Sequence, residues 1–269
     1  MSSRRYILPD DESPLVRLFF RLSWGLFILT VIFGIVAKVC AQDVLVPCYE
    51  AAVGEAALRQ TADASKLVLI MNVNSGPHEK LDKAYDALIT KARARKAKLA
   101  FYIDLIAGPD YSPVVTPQWK ITVPAKVRLK TAYELKLERT LWSAFYGSPQ
   151  WWFIDDVRDD RQSRAVVESL SSWAQPVILN PGTSYVPPAT LPTAVVVIHE
   201  SEGGWPRALT GWEGRSLRRC AAICLQFPAA SLPAFTKSTA GMAMRYASPL
   251  SDAQGAYDTL TPYFTQLLR

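Results

Sequence analysis

Two apolar runs end in carboxylates. Trp151, Trp152, Phe153 and Ile154 lead straight into Asp155 and Asp156, and Ala194 to Ile198 passes through His199 into Glu200. Each run is rich in aromatic or β-branched residues and delivers an acid where a buried strand meets solvent. Two carboxyls supplied by different strands are what glycosidic bond cleavage needs. One protonates the leaving oxygen while the other attacks the anomeric carbon or activates water, with a separation near roughly 5 Å for retention and roughly 6.5–9.5 Å for inversion. Neighbours on a strand point to opposite sides, so at most one of Asp155 and Asp156 aims down the strand's inner face, and His199 faces away from Glu200. The competing roles are structural: a helix N-cap or a rim ion pair with Arg158 for either aspartate, and a hydrogen-bonded core residue for His199.

Other chemistries lack their residues. No Gly-x-Ser-x-Gly, His-Glu-x-x-His or phosphate-cradling glycine pattern occurs, which removes the commonest serine-hydrolase, zinc-protease and nucleotide readings. The four cysteines, Cys40, Cys48, Cys220 and Cys224, form no Cys-x-x-Cys, and only His78 and His199 stand by to assist them, so no metal and no cofactor is expected. A disulfide from Cys48 to Cys220 or Cys224 competes with burial of all three as small hydrophobes on strands. Sugar recognition has its groups: Tyr49, Tyr185, Trp205 and Tyr246 offer rings for flat sugar faces, and Asn72, Asn74, Asp104 and Asn180 offer partners for polar edges. Trp142, Trp151 and Trp173 fall at core positions instead.

These groups need a scaffold that gathers strand ends at one rim. Eight apolar runs supply it: Val44 to Tyr49, Leu67 to Val73, Lys98 to Ile103, Trp151 to Asp155, Val177 to Leu179, Ala194 to His199, Ala221 to Phe227 and Met242 to Tyr246. Between them, Lys80 to Lys96, Ala125 to Tyr146, Arg161 to Trp173 and Tyr257 to Leu268 carry helical spacing. Eight strands returning through helical crossovers predict an α/β fold, a (β/α)8 barrel of the TIM type. The runner-up is a doubly wound open sheet. In a barrel the active site lies at the strands' C-terminal ends, and nearly every run here ends on a polar or aromatic residue: Tyr49 and Glu50, Asn72, Asp104, Asp155, Asn180, Glu200, Gln226, and Arg245 with Tyr246.

The N-terminus is separate. A basic segment ends at Arg17 and Arg21, an apolar run covers Leu22 to Val36, and Ala-Lys-Val-Cys-Ala precedes Gln42. Residues 1–41 read as a signal peptide or a membrane anchor, and residues 42–269 as a single barrel domain. The arginines precede the apolar run, so the barrel is sent to the extracytoplasmic side, secreted or held at the membrane. About a third of the formal net charge of +6 lies in that segment, and the remainder is too mild for a nucleic-acid partner. Nothing in the pattern specifies an oligomeric state.

The succession Val-Leu-Val-Pro-Cys-Tyr from Val44, Met-Asn-Val-Asn-Ser-Gly-Pro from Met71, Phe-Ile-Asp-Asp-Val from Phe153, Ile-Leu-Asn-Pro-Gly from Ile178, and a strand ending in Glu200 resembles the spherulation-specific family 4 (spherulin 4-like) proteins, grouped with glycoside hydrolase family 135. The resemblance runs from Val44 to Tyr246. It implies endo-acting hydrolysis of an α-1,4-linked galactosamine or N-acetylgalactosamine polysaccharide. It puts the family's acidic pair on Asp155 and Asp156 and its strand-end glutamate on Glu200. Asp155 would serve as nucleophile or stabilising carboxylate, Glu200 as general acid/base with a raised pKa, and Asp156 as an orienting group. The chain departs from the family in having aspartate where the pair usually ends in glutamate, Val73 for a proline, and Asp104 in a third strand lacking the usual Gly-Tyr-Val start. These departures motivate one alternative, a polysaccharide-binding barrel impaired in catalysis; a separate one is an envelope scaffold that makes contacts through the N-terminal helix and the barrel exterior, with a large exposed apolar patch and a plain cleft. The discriminator for the first is whether Asp155 and Glu200 face each other.

Overall fold

The first strand, β1 (Asp43–Cys48), is buried along nearly its whole length. Its alternate residues serve two different cores: Val44, Val46 and Cys48 pack outward toward helices, while Leu45 points inward. The same division recurs in β2 (Leu67–Met71) and β3 (Lys98–Asp104), where Val68, Ile70, Ala100 and Tyr102 face inward. Burial on both faces is why these runs read as continuous apolar stretches with no polar alternation. A small antiparallel ribbon, β4 (Ile106–Ala107) with β5 (Arg128–Leu129), follows outside the ring. The ring continues with β6 (Trp151–Asp155), β7 (Val177–Leu179), β8 (Val195–Glu202), β9 (Cys220–Leu225) and β10 (Met244–Ala247). These are residues of a computed structural model that describes positions 42–73, 75–77, 80–107, 128–157, 161–181, 194–202 and 216–269.

All ring pairings are parallel, and β10 pairs back onto β1 through Asp43↔Met244 and Val44↔Arg245, closing an eight-stranded barrel. Closure rules out the open doubly wound sheet. The strand boundaries follow the sequence reading closely, and two of them, Trp151–Asp155 and Val177–Leu179, coincide with it.

Helices cover the outer face. Helix α1 (Ala51–Gln60) starts three residues after β1 and is absent from the sequence reading, although its buried Gly54, Ala57 and Leu58 recur at helical spacing. Gly54 lets it approach α2 (Lys83–Ala94): a Cβ there would lie 2.6 Å from a Leu88 methyl. Helix α3 (Ala132–Tyr146) begins later than the expected Ala125 because Thr131 and Glu134 form a reciprocal capping box. From its buried face Trp142 stacks on Phe101 at 4.6 Å and donates its indole N–H to the Tyr102 carbonyl at 2.9 Å, anchoring the strand that carries Tyr102 into the barrel. Helices α4 (Arg161–Ser169) and α5 (Leu232–Ser238) follow; the second was also unread. Of the expected Tyr257 to Leu268 helix only α6 (Phe264–Leu267) exists. Gly255 in the left-handed region and Pro262 break the segment before it.

Cys48, Cys220 and Cys224 are buried thiols, so no disulfide joins Cys48 to the other two. Burial pushes the Cys224 thiol up to about 12. The expected signal or anchor, residues 1–41, lies outside the described residues. Among the described residues no helix is long and apolar enough to cross a membrane.

Candidate active site

The inward phase of each strand, carried one step past the apolar interior, assembles the site. Phe153 faces inward on β6, so Asp155 does too; Ile178 on β7 puts Asn180 on the same side. On β8 the alternation would bring His199 inward after Val195 and Val197. A register irregularity between Val197 and His199 shifts the phase, setting His199 beside the outward Ala222 and Glu200 beside the inward Ile223. The bulge therefore chooses the glutamate over the histidine.

Asn180 holds the two acids together. Its amide nitrogen donates to Asp155 Oδ1 at 2.8 Å and to Glu200 Oε2 at 2.6 Å. These two oxygens thus lie at most about 5.4 Å apart, and nearer about 4.7 Å when the two amide hydrogens diverge at about 120°. The main chain fixes the clamp: Asn180 N–H donates to the Ile154 carbonyl at 2.8 Å, and Val157 N–H donates to the Asn180 carbonyl at 3.1 Å, lacing β6 to the end of β7.

Two tyrosines complete the pair's surroundings. Tyr102 on β3 donates its hydroxyl to Asp155 Oδ2 at 2.6 Å, and Tyr257 donates to Glu200 Oε1 at 2.7 Å. Tyr257 comes from the loop after β10, which is built to present it. Ser251 and Gln254 cap its first turn, Gly255 reverses the chain at φ 75°, Tyr246 donates to the Ala256 carbonyl at 2.6 Å, and Thr261 ties the far end to the Ala247 carbonyl at 2.7 Å. The Tyr257 ring lies parallel to Tyr49 at 5.4 Å. Neither Tyr102 nor Tyr257 stood among the sequence candidates. Tyr102 was readable as the inward residue two before Asp104; Tyr257 gave no local signal.

Burial and the negative charge of Glu200 push the Asp155 carboxyl up to about 7, against hydrogen bonds from Tyr102 and the Asp156 N–H that favour its anion. Two carboxyls this close are coupled, so the raised value of Asp155 belongs to the pair. Burial, together with the adjacent acids, raises both Tyr102 and Tyr257, which remain protonated donors. A second acid pair sits at the rim. Asp104, the register partner of Asp155, is pushed up to about 6 by burial and by Asp156, while its own hydrogen bond from Ile106 N–H pulls the other way. Asp156 is exposed and left-handed at φ 54°, a conformation that aspartate tolerates.

The cleft above the barrel is narrow and partly open to solvent, floored by Ile70, Phe153 and Ile223 and walled by the tyrosines, Asn180 and the two acids. Of the sequence candidates, Asp155, Glu200, Asn180 and Tyr49 meet there. Asn180 spends its amide on the acids, so it positions them; a role in binding sugar edges is not what its contacts serve. Asn72 hydrogen-bonds Tyr49 from within the wall. Tyr246 is buried beneath Tyr257 with its hydroxyl committed to a carbonyl, which replaces the stacking role expected of it. Arg245 points outward and binds the Leu267 carbonyl. Asn74, Trp205 and Tyr185 lie outside the described residues. Among the described residues no group of acids, histidines and cysteines is arranged to hold a metal ion.

A closed parallel eight-stranded α/β barrel with a bridged acid pair at its C-terminal mouth is the class of structure this chain adopts. No family model matches the sequence, and no curated protein does. The fold is shared with a crystal structure of Aspergillus clavatus Sph3 in complex with GalNAc, at a TM-score of 0.61 and 15% identity, over 84% of this chain and 96% of that one.

Proposed function

We propose that the protein is a retaining, endo-acting glycoside hydrolase of amino-sugar polysaccharides, exported by its N-terminal segment and working, secreted or membrane-held, outside the cytoplasm. The observation that carries the reading is the Asn180 bridge. Two acid oxygens bonded to one amide nitrogen stand within about 5.4 Å of each other, which supports the close carboxyl spacing of a retaining enzyme over the roughly 6.5–9.5 Å of an inverting one. That Asp155 and Glu200 face each other favours catalysis over the binding-barrel alternative. The likeness to Sph3, crystallised with GalNAc, supports the substrate class.

Three donors reach Asp155, from Tyr102, Asn180 and the Asp156 N–H, and two reach Glu200. Donors stabilise an anion, so the productive arrangement is Asp155 ionised and Glu200 protonated. Asp155 attacks the anomeric carbon as Glu200 gives its proton to the leaving oxygen, forming a glycosyl ester. Glu200 then takes a proton from water, whose oxygen attacks the same carbon and releases Asp155.

The test is incubation of the purified protein with partially deacetylated α-1,4-galactosaminan and assay of reducing ends, with Asp155→Asn and Glu200→Gln alongside. Release of oligosaccharides that both substitutions abolish supports the reading. Binding without release by the parent would transfer it to the binding-barrel alternative.

A further inference from the structure

The ring strands are parallel, so the chain enters all of them at one end of the barrel, opposite the cleft. Charge is unevenly spread around that end. Residues 147–150 and 173–176, which lead into β6 and β7, include no charged side chain, and neither does the sequence 182–194 ahead of β8. The other five strands follow one another in the order β9, β10, β1, β2, β3, and their entries are basic. Arg218 and Arg219 lead into β9, Lys237 lies in the last turn of the helix before β10, Lys66 leads into β2, and Arg95 with Lys96 leads into β3. Against them stand two acids: Asp43, paired with Lys98 at 2.6 Å, and Asp63, whose carboxylate accepts from Ser65. Lys66 is half-buried and the other five cations are exposed. Lys96, Arg218, Arg219 and Lys237 form no ion pair with a described residue.

Two further observations indicate what this arc meets. It is centred on β1, where residues 1–41 join the barrel, and only five residues, 37–41, separate the apolar run ending at Val36 from Gln42. A tether of that length reaches at most about 20 Å. Beside the two arginines, Leu217 is 46% exposed, an apolar side chain held out among cations.

We propose that the basic arc at the strand entries rests on an anionic phospholipid surface, with the cleft turned away from the membrane toward polymer. Each lysine or arginine near such a surface strengthens attachment by about fivefold, and Leu217 enters the headgroup layer as interfacial apolar residues do. The same field repels the opposite end, where Asp104, Asp155, Asp156, Glu200 and Asp252 stand, so one charge asymmetry both attaches and orients the barrel. The proposal rests on the membrane-held form of the protein and is independent of the hydrolase chemistry.

The test is hydrogen exchange of the full-length protein on vesicles of phosphatidylcholine alone and of phosphatidylcholine mixed with phosphatidylglycerol. The mixed vesicles should slow exchange at residues 62–66, 95–97 and 216–219 and leave residues 248–256 at the mouth unchanged; the neutral vesicles should slow neither. Replacing Lys66, Lys96, Arg218 and Arg219 together by glutamine should abolish the slowing without moving the melting midpoint, and so should salt at about 1 M, where the Debye length is about 3 Å. Equal exchange on the two kinds of vesicle, slowing at the mouth, or slowing that survives the four substitutions overturns the proposal. Slowing by soluble polyaspartate that matches the vesicles, and is indifferent to Leu217→Ser, assigns the face to an acidic polymer and overturns the bilayer as partner. Protection of residues 22–36 on both kinds of vesicle with the entry segments unslowed keeps the anchor and sinks the arc. Slowed entries in a protein that cleaves no galactosaminan keep the arc and sink the hydrolase.

Discussion

Asp155 and Glu200 at the centre of the mouth, and Asp104 and Asp156 at its rim, are two acid pairs that meet at the end of β6, where Asp155 and Asp156 are adjacent, yet they are held in opposite ways. Side-chain donors from three other elements cage the central pair: Tyr102 and Asn180 on Asp155, Asn180 and Tyr257 on Glu200. The rim pair has one main-chain donor, Ile106 N–H on Asp104, and the charge of Lys130 nearby. Crowding raises proton affinity in both places, for Asp155 to about 7 and for Asp104 to about 6. Donors alone separate them. A caged carboxyl has a fixed position and a fixed partner, which chemistry requires; an uncaged one contributes field.

The contrast breaks first where its effect is largest. Asp155→Asn and Glu200→Gln should each lower kcat on the order of a hundredfold to ten-thousandfold, read by reducing-end release. A loss under threefold in either would remove the central pair from the reaction. The same Asp155→Asn protein should be more stable than its parent at alkaline pH. The native carboxyl keeps its proton up to about 7, while in the unfolded chain it is released near the ordinary aspartate value of 3.8. The native state therefore binds more protons across that window, and parent stability falls as pH rises through it. An amide has no such fall. The gap in unfolding free energy should open from acid to alkaline pH, reaching on the order of 2–4 kcal/mol above neutrality, read by denaturant melts at each pH.

Removing the cage while leaving the acids is the next sharpening. Asn180→Leu deletes both bridging bonds and should cut kcat by about a hundredfold, with KM changed much less, because the loss is of geometry more than of substrate contact. Tyr257→Phe deletes one donor from Glu200 and keeps the ring that stacks on Tyr49, so kcat should fall by about tenfold. Equal effects for the two substitutions would mean that the bridge is no more than one hydrogen bond among several.

How far the sequence carried this comparison follows from the range of the forces involved. Strands buried on both faces write themselves as apolar runs, which is why Trp151–Asp155 and Val177–Leu179 were legible to the residue. The positions of Asp155 and Asn180 at strand ends were legible for the same reason, whereas Glu200, expected just past its strand, lies within β8, which runs on to Glu202. Their relations were not. The phase shift between Val197 and His199 leaves no mark in a run of β-branched residues. Asn180 was recognisable as a polar strand end, but nothing local distinguishes an amide that clamps two acids from one that meets a sugar. Tyr257 was read as part of a helix, because the turn that presents it depends on Tyr246 and Thr261 holding the main chain from below.

The smallest expected effect belongs to the rim. Asp156 adds negative charge beside Asp155 and so helps the central pair keep its proton. Asp156→Asn removes that charge, the pair releases its proton more readily, and the alkaline limb of the kcat profile should move down by a few tenths of a pH unit at low ionic strength. Because Asp156 is exposed, salt screens the interaction: at about 1 M the Debye length shrinks to about 3 Å and the limbs of parent and variant should merge. A donor-caged position would keep its shift in salt. If Asp156→Asn instead costs tenfold or more in kcat at every pH and every salt concentration, then its carboxylate acts by contact, the rim pair joins the machinery, and the division drawn between caged and uncaged acids fails.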